Sequence, residues 1–248
     1  MPWSRLTLVA TLAGALAACS DSGNVVVPGV DMRPDIFIFD LVVKPPDGGP
    51  PDAPGDLTSD GQPQPDTNGL LSAPFSFDFE QNNGGISATG DWEWGQLGTF
   101  KFGTDCSTSA TPPPSAHSGT RLWGTVLDDC YTPIGNNADA CNNANVGDDS
   151  VLSLTFVLPS PLLNPKLEWW EWNDYFLDFD WTEVRINNTV VYQDCTGSHS
   201  KPTAWRKQSV DLSAYAGQTL TVTFHFMASS AVNYAGWYLD DIAVTAGP

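Results

Sequence analysis

The sequence predicts an all-β protein whose globular part, residues 74–248, is an antiparallel β-sandwich. Apolar and polar residues alternate in several short runs, as at Phe75, Phe77 and Phe79 and again from Leu152 to Leu158. An alternation with a period of two is typical of half-buried strands. Turns rich in Gly, Asn and Pro separate these runs, and no stretch keeps a 3.6-residue period. Many short strands joined by such turns favour a sandwich over a helical fold.

One hairpin can be located from its turn. Val184 and Ile186 lead into Asn187-Asn188, and an apolar run follows from Val190 to Tyr192. Asn tolerates the left-handed backbone conformation that two-residue hairpin turns require. The glycosylation sequon Asn187-Asn188-Thr189 is therefore interpreted as this turn.

The first nineteen residues predict export. Arg5 gives a short positive start, and residues 6–15 form an apolar run that is too short to span a bilayer. Leu16-Ala17-Ala18-Cys19 follows and resembles the lipobox of bacterial lipoproteins. This resemblance implies that residues 1–18 are removed and that Cys19 carries the lipid anchor, on the periplasmic side or at the cell surface. The alternative is an ordinary cleaved signal with a chance cysteine, which also places the chain outside the cytoplasm.

Residues 19–73 predict a disordered linker. Pro, Asp and Gly dominate it, as in residues 45–56, and such a composition keeps a chain extended and solvated. One apolar island, Ile36-Phe37-Ile38-Phe39, is either an edge strand that docks on the domain or an unpaired patch of the linker.

The charge balance excludes one class of partner. The chain has 10 Lys and Arg against 29 Asp and Glu, a formal net charge of −19. Such a surface repels phosphate backbones and anionic lipid head groups, so we expect no nucleic-acid partner. It can attract divalent cations.

Four cysteines besides Cys19 predict two disulfides, because an even number in an exported domain is typical of a disulfide framework. They are Cys106, Cys130, Cys141 and Cys195, and their spacing matches no zinc pattern. Of the three possible connectivities we favour Cys130–Cys141 as a local clasp, which leaves Cys106–Cys195.

Several phrases occur in an order that resembles a known family. The first is Phe77-Asp78-Phe79-Glu80, and the others are residues 91–95 (DWEWG), 118–125 (SGTRLWGT) and 236–244 (GWYLDDIAV). Their order is similar to that of MAM-like jelly-roll domains and of the bacterial jelly rolls found beside secreted immune-inhibitor-A-type proteases. The resemblance implies a jelly-roll β-sandwich with a binding or adhesion role at a surface.

Jelly-roll modules of this type commonly hold a calcium ion where the first and last strands meet. Calcium needs several hard oxygen ligands. Asp78 and Glu80 share one face of the opening strand, while Asp240 and Asp241 of the closing strand are expected to face opposite sides. Asp91 is a further candidate ligand. The alternative is that all five are solvated acids that bind turns.

A dense aromatic and acidic stretch follows residue 168. Trp170 and Trp172 are expected on one face of a strand, with Trp169 and Glu171 on the other. Sugar recognition combines flat rings with carboxylates or amides, although a Trp-rich core is an equally consistent interpretation. The predicted ligand-binding residues are Trp170, Trp172, Asp174, Tyr175 and Asp180.

No catalytic motif accompanies these features. The sequence has neither a Gly-x-Ser-x-Gly elbow nor a His-Glu-x-x-His helix, and it has three histidines. We therefore predict a lipid-anchored, non-enzymatic binding module of the cell envelope that recognises a polysaccharide or a surface protein. Two alternatives stay open: a structural protein–protein component of the envelope, and a glycan-active enzyme that uses a pair of the clustered acids.

Overall fold

The computed structural model describes residues 69–104, 106–132, 150–177, 179–195, 197–229 and 233–247. Residues 1–68, to which the lipobox and almost all of the linker belong, lie outside this part. None of the helices in the described ranges is long and apolar enough to cross a membrane. The described elements are twelve strands and one 3-10 helix: β1 (Leu71–Ser72), β2 (Phe75–Phe77), β3 (Ser87–Ala88), β4 (Trp92–Gln96), β5 (Arg121–Thr125), β6 (Ser150–Val157), β7 (Lys166–Asp174), β8 (Trp181–Ile186), β9 (Thr189–Asp194), β10 (Arg206–Asp211), the 3-10 helix Ser213–Tyr215, β11 (Thr219–Met227) and β12 (Gly236–Thr245).

The strands form two six-stranded sheets, which confirms the predicted sandwich. One sheet, called the β6 sheet below, has the order β1-β6-β11-β8-β9, with β3 also paired to β6. The other, called the β7 sheet, has the order β10-β7-β12-β5-β4, with β2 also paired to β12. All pairings except the parallel pair β1–β6 are antiparallel.

Aromatic rings from both sheets fill the space between them. Trp169 of β7 meets Phe224 of β11 at a ring-centroid distance of 5.6 Å, and Trp92 of β4 meets Trp237 of β12 at 5.6 Å. Trp169 and Trp237 are fully buried. Burying such a side chain contributes about 1.5–3 kcal/mol, so this layer accounts for the alternation seen in the sequence.

The hairpin turn is confirmed, but the start of the ordered domain differs from the prediction. Asn187 and Asn188 have φ angles of 48° and 67° and join β8 to β9. Leu71 of β1 lies in the segment predicted as linker, yet it pairs with Phe156 of β6. Two residues are too short a run for periodicity to indicate a strand.

The outer face of the β7 sheet is covered by the chain's own connection between β4 and β5. Within that connection, the backbone N–H of Thr111 donates to Asp174, and the carbonyl of Thr111 accepts a hydrogen bond from Trp172. Ser118 reaches the closing strand β12 at Asp240. The β7 sheet is therefore packed on both faces.

The disulfide pairs predicted from spacing are wrong. Cys106 bonds Cys130, with Cα atoms 5.5 Å apart and a sequence separation of 24. Both cysteines lie beside Asn233: Cys106 forms a parallel β-bridge with it, and the Cys130 sulfur lies 3.6 Å from its carbonyl oxygen. Cys195 is also disulfide-bonded, whereas Cys141 lies outside the described residues. Proximity in sequence favoured the clasp Cys130–Cys141, but tertiary packing brings Cys106 to Cys130.

We expect the double variant Cys106→Ala/Cys130→Ala to unfold about 2–4 kcal/mol more easily, because the bond restricts the unfolded chain. Urea unfolding of the wild type and the variant measures this difference. Peptide mapping without reductant should recover a peptide pair that links Cys106 to Cys130. A peptide linking Cys106 to Cys195 would contradict the described pairing.

Candidate functional site

Strand β7 divides the predicted ligand-binding residues between two environments. Trp169 and Glu171 face the space between the sheets, as their contacts with Tyr192 of β9 show. Trp170 and Trp172 face the other way, toward the β4–β5 connection. The alternation in the sequence therefore describes the two faces correctly.

Three of the five predicted ligand-binding residues are buried in hydrogen bonds within the chain. Asp174 is fully buried and accepts from the N–H and Oγ1 of Thr111, at 2.6 and 3.0 Å, and from the N–H of Ala235 at 3.0 Å. It also contacts Nε2 of His199 at 2.9 Å. With its oxygens engaged in this way, Asp174 is a tie between loops and offers no surface to a ligand.

Asp180 and Tyr175 have similar internal roles. Asp180 accepts from the hydroxyl of Tyr131 and, at 2.7 Å, from the N–H of Ser229, and burial raises its pKa. Tyr175 is fully buried and its hydroxyl lies 3.0 Å from Oγ1 of Thr182. The prediction that both residues bind a ligand is wrong because the chain folds over them.

Glu171, which lies in the core, is the most heavily bonded acid. Burial raises its pKa, and its two oxygens accept from five donors. The donors are the indole N–H groups of Trp169 and Trp237, the hydroxyl of Tyr192, the amide of Gln208 and the guanidinium of Arg206. A buried carboxylate without such donors would be very costly, so this network explains why an acid is tolerated there.

Three rings on the outer face of the β7 sheet are half-buried, and we call them the outer aromatic surface: His117, Trp170 and Trp205. The rings of His117 and Trp170 are stacked with centroids 3.8 Å apart, and Trp205 meets His117 edge-on at 6.1 Å. The indole N–H of Trp205 donates to the carbonyl of Ser115 at 3.2 Å, which fixes its orientation. Trp172 lies beneath them and is buried.

Charged side chains flank the outer aromatic surface. The carboxylate of Asp241 lies 2.5 Å from Nδ1 of His117, and Glu168 pairs with Lys207 at 3.1 Å. His117 and Asp241 each keep 26% of their side-chain surface exposed. Flat rings beside hydroxyl-binding carboxylates can stack on a sugar and orient it. Sequence reasoning missed His117 and Trp205 because both lie in connections with no periodic pattern.

The closing strand brings two predicted metal ligands together. Asp240 and Asp241 were expected on opposite faces, but β12 has a bulge there and Asp241 adopts a φ of 48°. As a result, the N–H of Ser118 donates to Asp240 and the hydroxyl of Ser118 donates to Asp241. Burial raises the pKa of Asp240 to about 7. The expectation of opposite faces is therefore wrong, because a bulge changes the alternation.

The other three predicted ligands lie apart from this pair. Glu80 accepts from the N–H groups of Thr120 and Arg121, which lower its pKa, and Gly119 is needed because any Cβ there would clash with this carboxylate. Asp91 binds Thr132, and Asp78 accepts from the N–H of Glu80. In the described ranges, no three of the five carboxylates come close enough to share one ion through side chains alone. The five-residue set therefore does not fit a single metal site.

Comparison with known proteins finds distant relatives. No family model matches the sequence. The chain is 27% identical over 185 residues to Bacillopeptidase F of Bacillus subtilis (strain 168), which covers 71% of this chain and 11% of that protein. The chain thus spans about a ninth of the length of this curated relative, and the activity in its name is not carried over here.

Solved structures with a similar fold include two binding domains. The K1 cleaved adhesin domain of Lys-gingipain from Porphyromonas gingivalis W83 has a TM-score of 0.42 and 15% identity, over 71% of this chain and all of that domain. A CBM61 structure in complex with β-1,4-galactotriose has a TM-score of 0.36 and 11% identity, over 66% of this chain and 89% of that one. Both are what the chain is similar to in fold.

We expect Glu171→Ala to lower the free energy of unfolding by at least about 3 kcal/mol, because it leaves buried donors without an acceptor. The matched control is Glu168→Ala on the same strand. Glu168 has a partly exposed partner in Lys207, so its loss should cost less than about 1 kcal/mol. Urea unfolding of both variants measures the difference, and equal effects would show that the Glu171 network does not stabilise the fold.

Proposed function

We propose that the protein is a non-enzymatic binding module of the bacterial cell envelope and that its outer aromatic surface recognises a polysaccharide. The observation that carries this proposal is the half-buried row of His117, Trp170 and Trp205 beside Asp241. Their rings are held in place by the chain's own hydrogen bonds, so little side-chain freedom is lost on binding.

A lipid anchor is the second part of the proposal. The motif Leu16-Ala17-Ala18-Cys19 supports acylation of Cys19, and several acyl chains together give stable membrane attachment. The linker, rich in Pro, Asp and Gly, would then hold the domain away from the membrane. The MAM-like resemblance of the strand phrases is consistent with such a module, located on the periplasmic side or at the cell surface.

A surface-protein partner is the second candidate. In the described part of the chain, four large apolar side chains are exposed, among them Phe179 at 41% and Leu163 at 64%. Exposed apolar side chains contribute to protein interfaces. A glycan-active enzyme is the least supported alternative, because the buried acids Glu171, Asp174 and Asp180 are engaged by donors from the chain itself.

The variant Trp205→Ala tests the proposed polysaccharide site. The full chain is pulled down on insoluble neutral and charged polysaccharides, with Phe179→Ala, a partly exposed aromatic outside the surface, as the control. We expect at least one polysaccharide to retain the wild type and the control, and Trp205→Ala to be retained at least about tenfold less, since aromatic anchors dominate binding sites. Equal retention of the two variants, or no retention of the wild type on any polysaccharide, would contradict the proposal.

We also propose that Asp240 and Asp241 hold a calcium ion together with neighbouring backbone carbonyls. Two features support this: the bulge turns both carboxylates toward Ser118, and Asp241 keeps a left-handed backbone that only a local requirement maintains. The ion would be structural and would join the closing strand to the β4–β5 connection.

Thermal unfolding with calcium and with chelator tests this site. A ligand that binds only the folded state raises the melting temperature, so calcium should stabilise the wild type and the exposed control Asp78→Asn. The variant Asp241→Asn should lose that shift. Identical melting curves of the wild type in calcium and chelator would show that no calcium site exists here.

A further inference from the structure

A groove separate from the outer aromatic surface lies along the edge of the β6 sheet. Two short strands pair with the same edge of β6: β1 with Phe156 and Val157, and β3 with Leu152 and Ser153. Between these two pairings lie Leu154 and Thr155, and a groove of about 480 Å³ opens there. That volume is within the range of small-molecule sites, about 300–1,000 Å³.

The lining of this groove is uncharged, although the chain carries a net charge of −19. Three hydroxyl groups line it, from Ser87, Ser153 and Thr155, together with the amide of Asn82. Hydroxyl groups both donate and accept hydrogen bonds. The acidic surface around the groove disfavours an anion, and a cation would find no carboxylate inside it.

One aromatic ring completes the lining. Phe77 is half-buried and lies against Gly84, where an added Cβ would come within 3.1 Å of the ring. Gly84 has a φ of +71° and its N–H donates to the side chain of Asn82 at 2.8 Å. The glycine therefore lets the loop approach the ring closely and places the Asn82 amide beside it.

We propose that this groove is a second binding site and that its ligand is a neutral saccharide. A sugar presents an apolar C–H face to a ring such as Phe77 and hydroxyl groups to Ser87, Ser153 and Thr155. The groove shares no residue with the outer aromatic surface, so this site does not depend on the function proposed for that surface. Two separate sites on one domain would raise its avidity for a repeating polysaccharide.

Isothermal titration calorimetry of the purified full chain tests this site with cellotriose, maltotriose and β-1,4-galactotriose, and with trigalacturonate as the anionic counterpart. The blocking variant is Thr155→Trp, because Thr155 is exposed and its strand tolerates an aromatic residue. The matched control is Thr219→Trp, which places the same side chain at an exposed position of the neighbouring strand β11, outside the groove. Trp205→Ala reports on the outer aromatic surface.

We expect at least one neutral trisaccharide to bind the wild type at concentrations up to about 10 mM, and Thr155→Trp to weaken it at least about tenfold. Thr219→Trp and Trp205→Ala should bind as the wild type does. Binding lost in Trp205→Ala but kept in Thr155→Trp would assign the sugar to the outer aromatic surface and overturn the groove site. Equal losses in both Trp variants, binding of trigalacturonate as tight as that of the neutral sugars, or no binding of any trisaccharide would also overturn it.

Discussion

The fold depends on buried carboxylates that must be hydrogen-bonded. Glu171, Asp174 and Asp180 lie within ten residues of one another, and all three are buried. A buried charge without partners costs several kcal/mol, so each acid requires donors, and these come from separate segments of the chain. Glu171 joins β9, β10 and β12, whereas Asp174 joins Thr111 and Ala235. The acids thus fix loops that apolar packing alone would leave undirected.

This constraint determines which surface is available for binding. Because Asp174 and Trp172 hold Thr111 against the outer face of the β7 sheet, most of that face is covered. What remains is the outer aromatic surface, in which Ser115 orients Trp205. The stretch that looks most like a sugar site in the sequence is therefore largely structural, and the rings that reach solvent come partly from loops.

The sequence predicted the features that depend on local periodicity and failed where tertiary contacts decide. Alternation located the strands, assigned the faces of Trp169 and Trp170, and the Asn187-Asn188 pair predicted its turn. The bulge at Asp241 reversed an assignment of faces, because one extra residue changes the alternation without leaving a mark in composition. The Cys106–Cys130 bond and the burial of Asp180 follow from loops that meet in space, and no spacing rule describes such meetings.

The most direct test of this account is native-state hydrogen exchange of three loop amides that donate to buried carboxylates: those of Thr111 and Ala235 to Asp174, and that of Ser229 to Asp180. If the carboxylates hold the loops to the sheets, these amides should exchange only through global unfolding, as slowly as the amides of β7 and β12. Rapid exchange of these amides beside protected strands would show that the loops open independently. That result would contradict the role assigned to the buried acids.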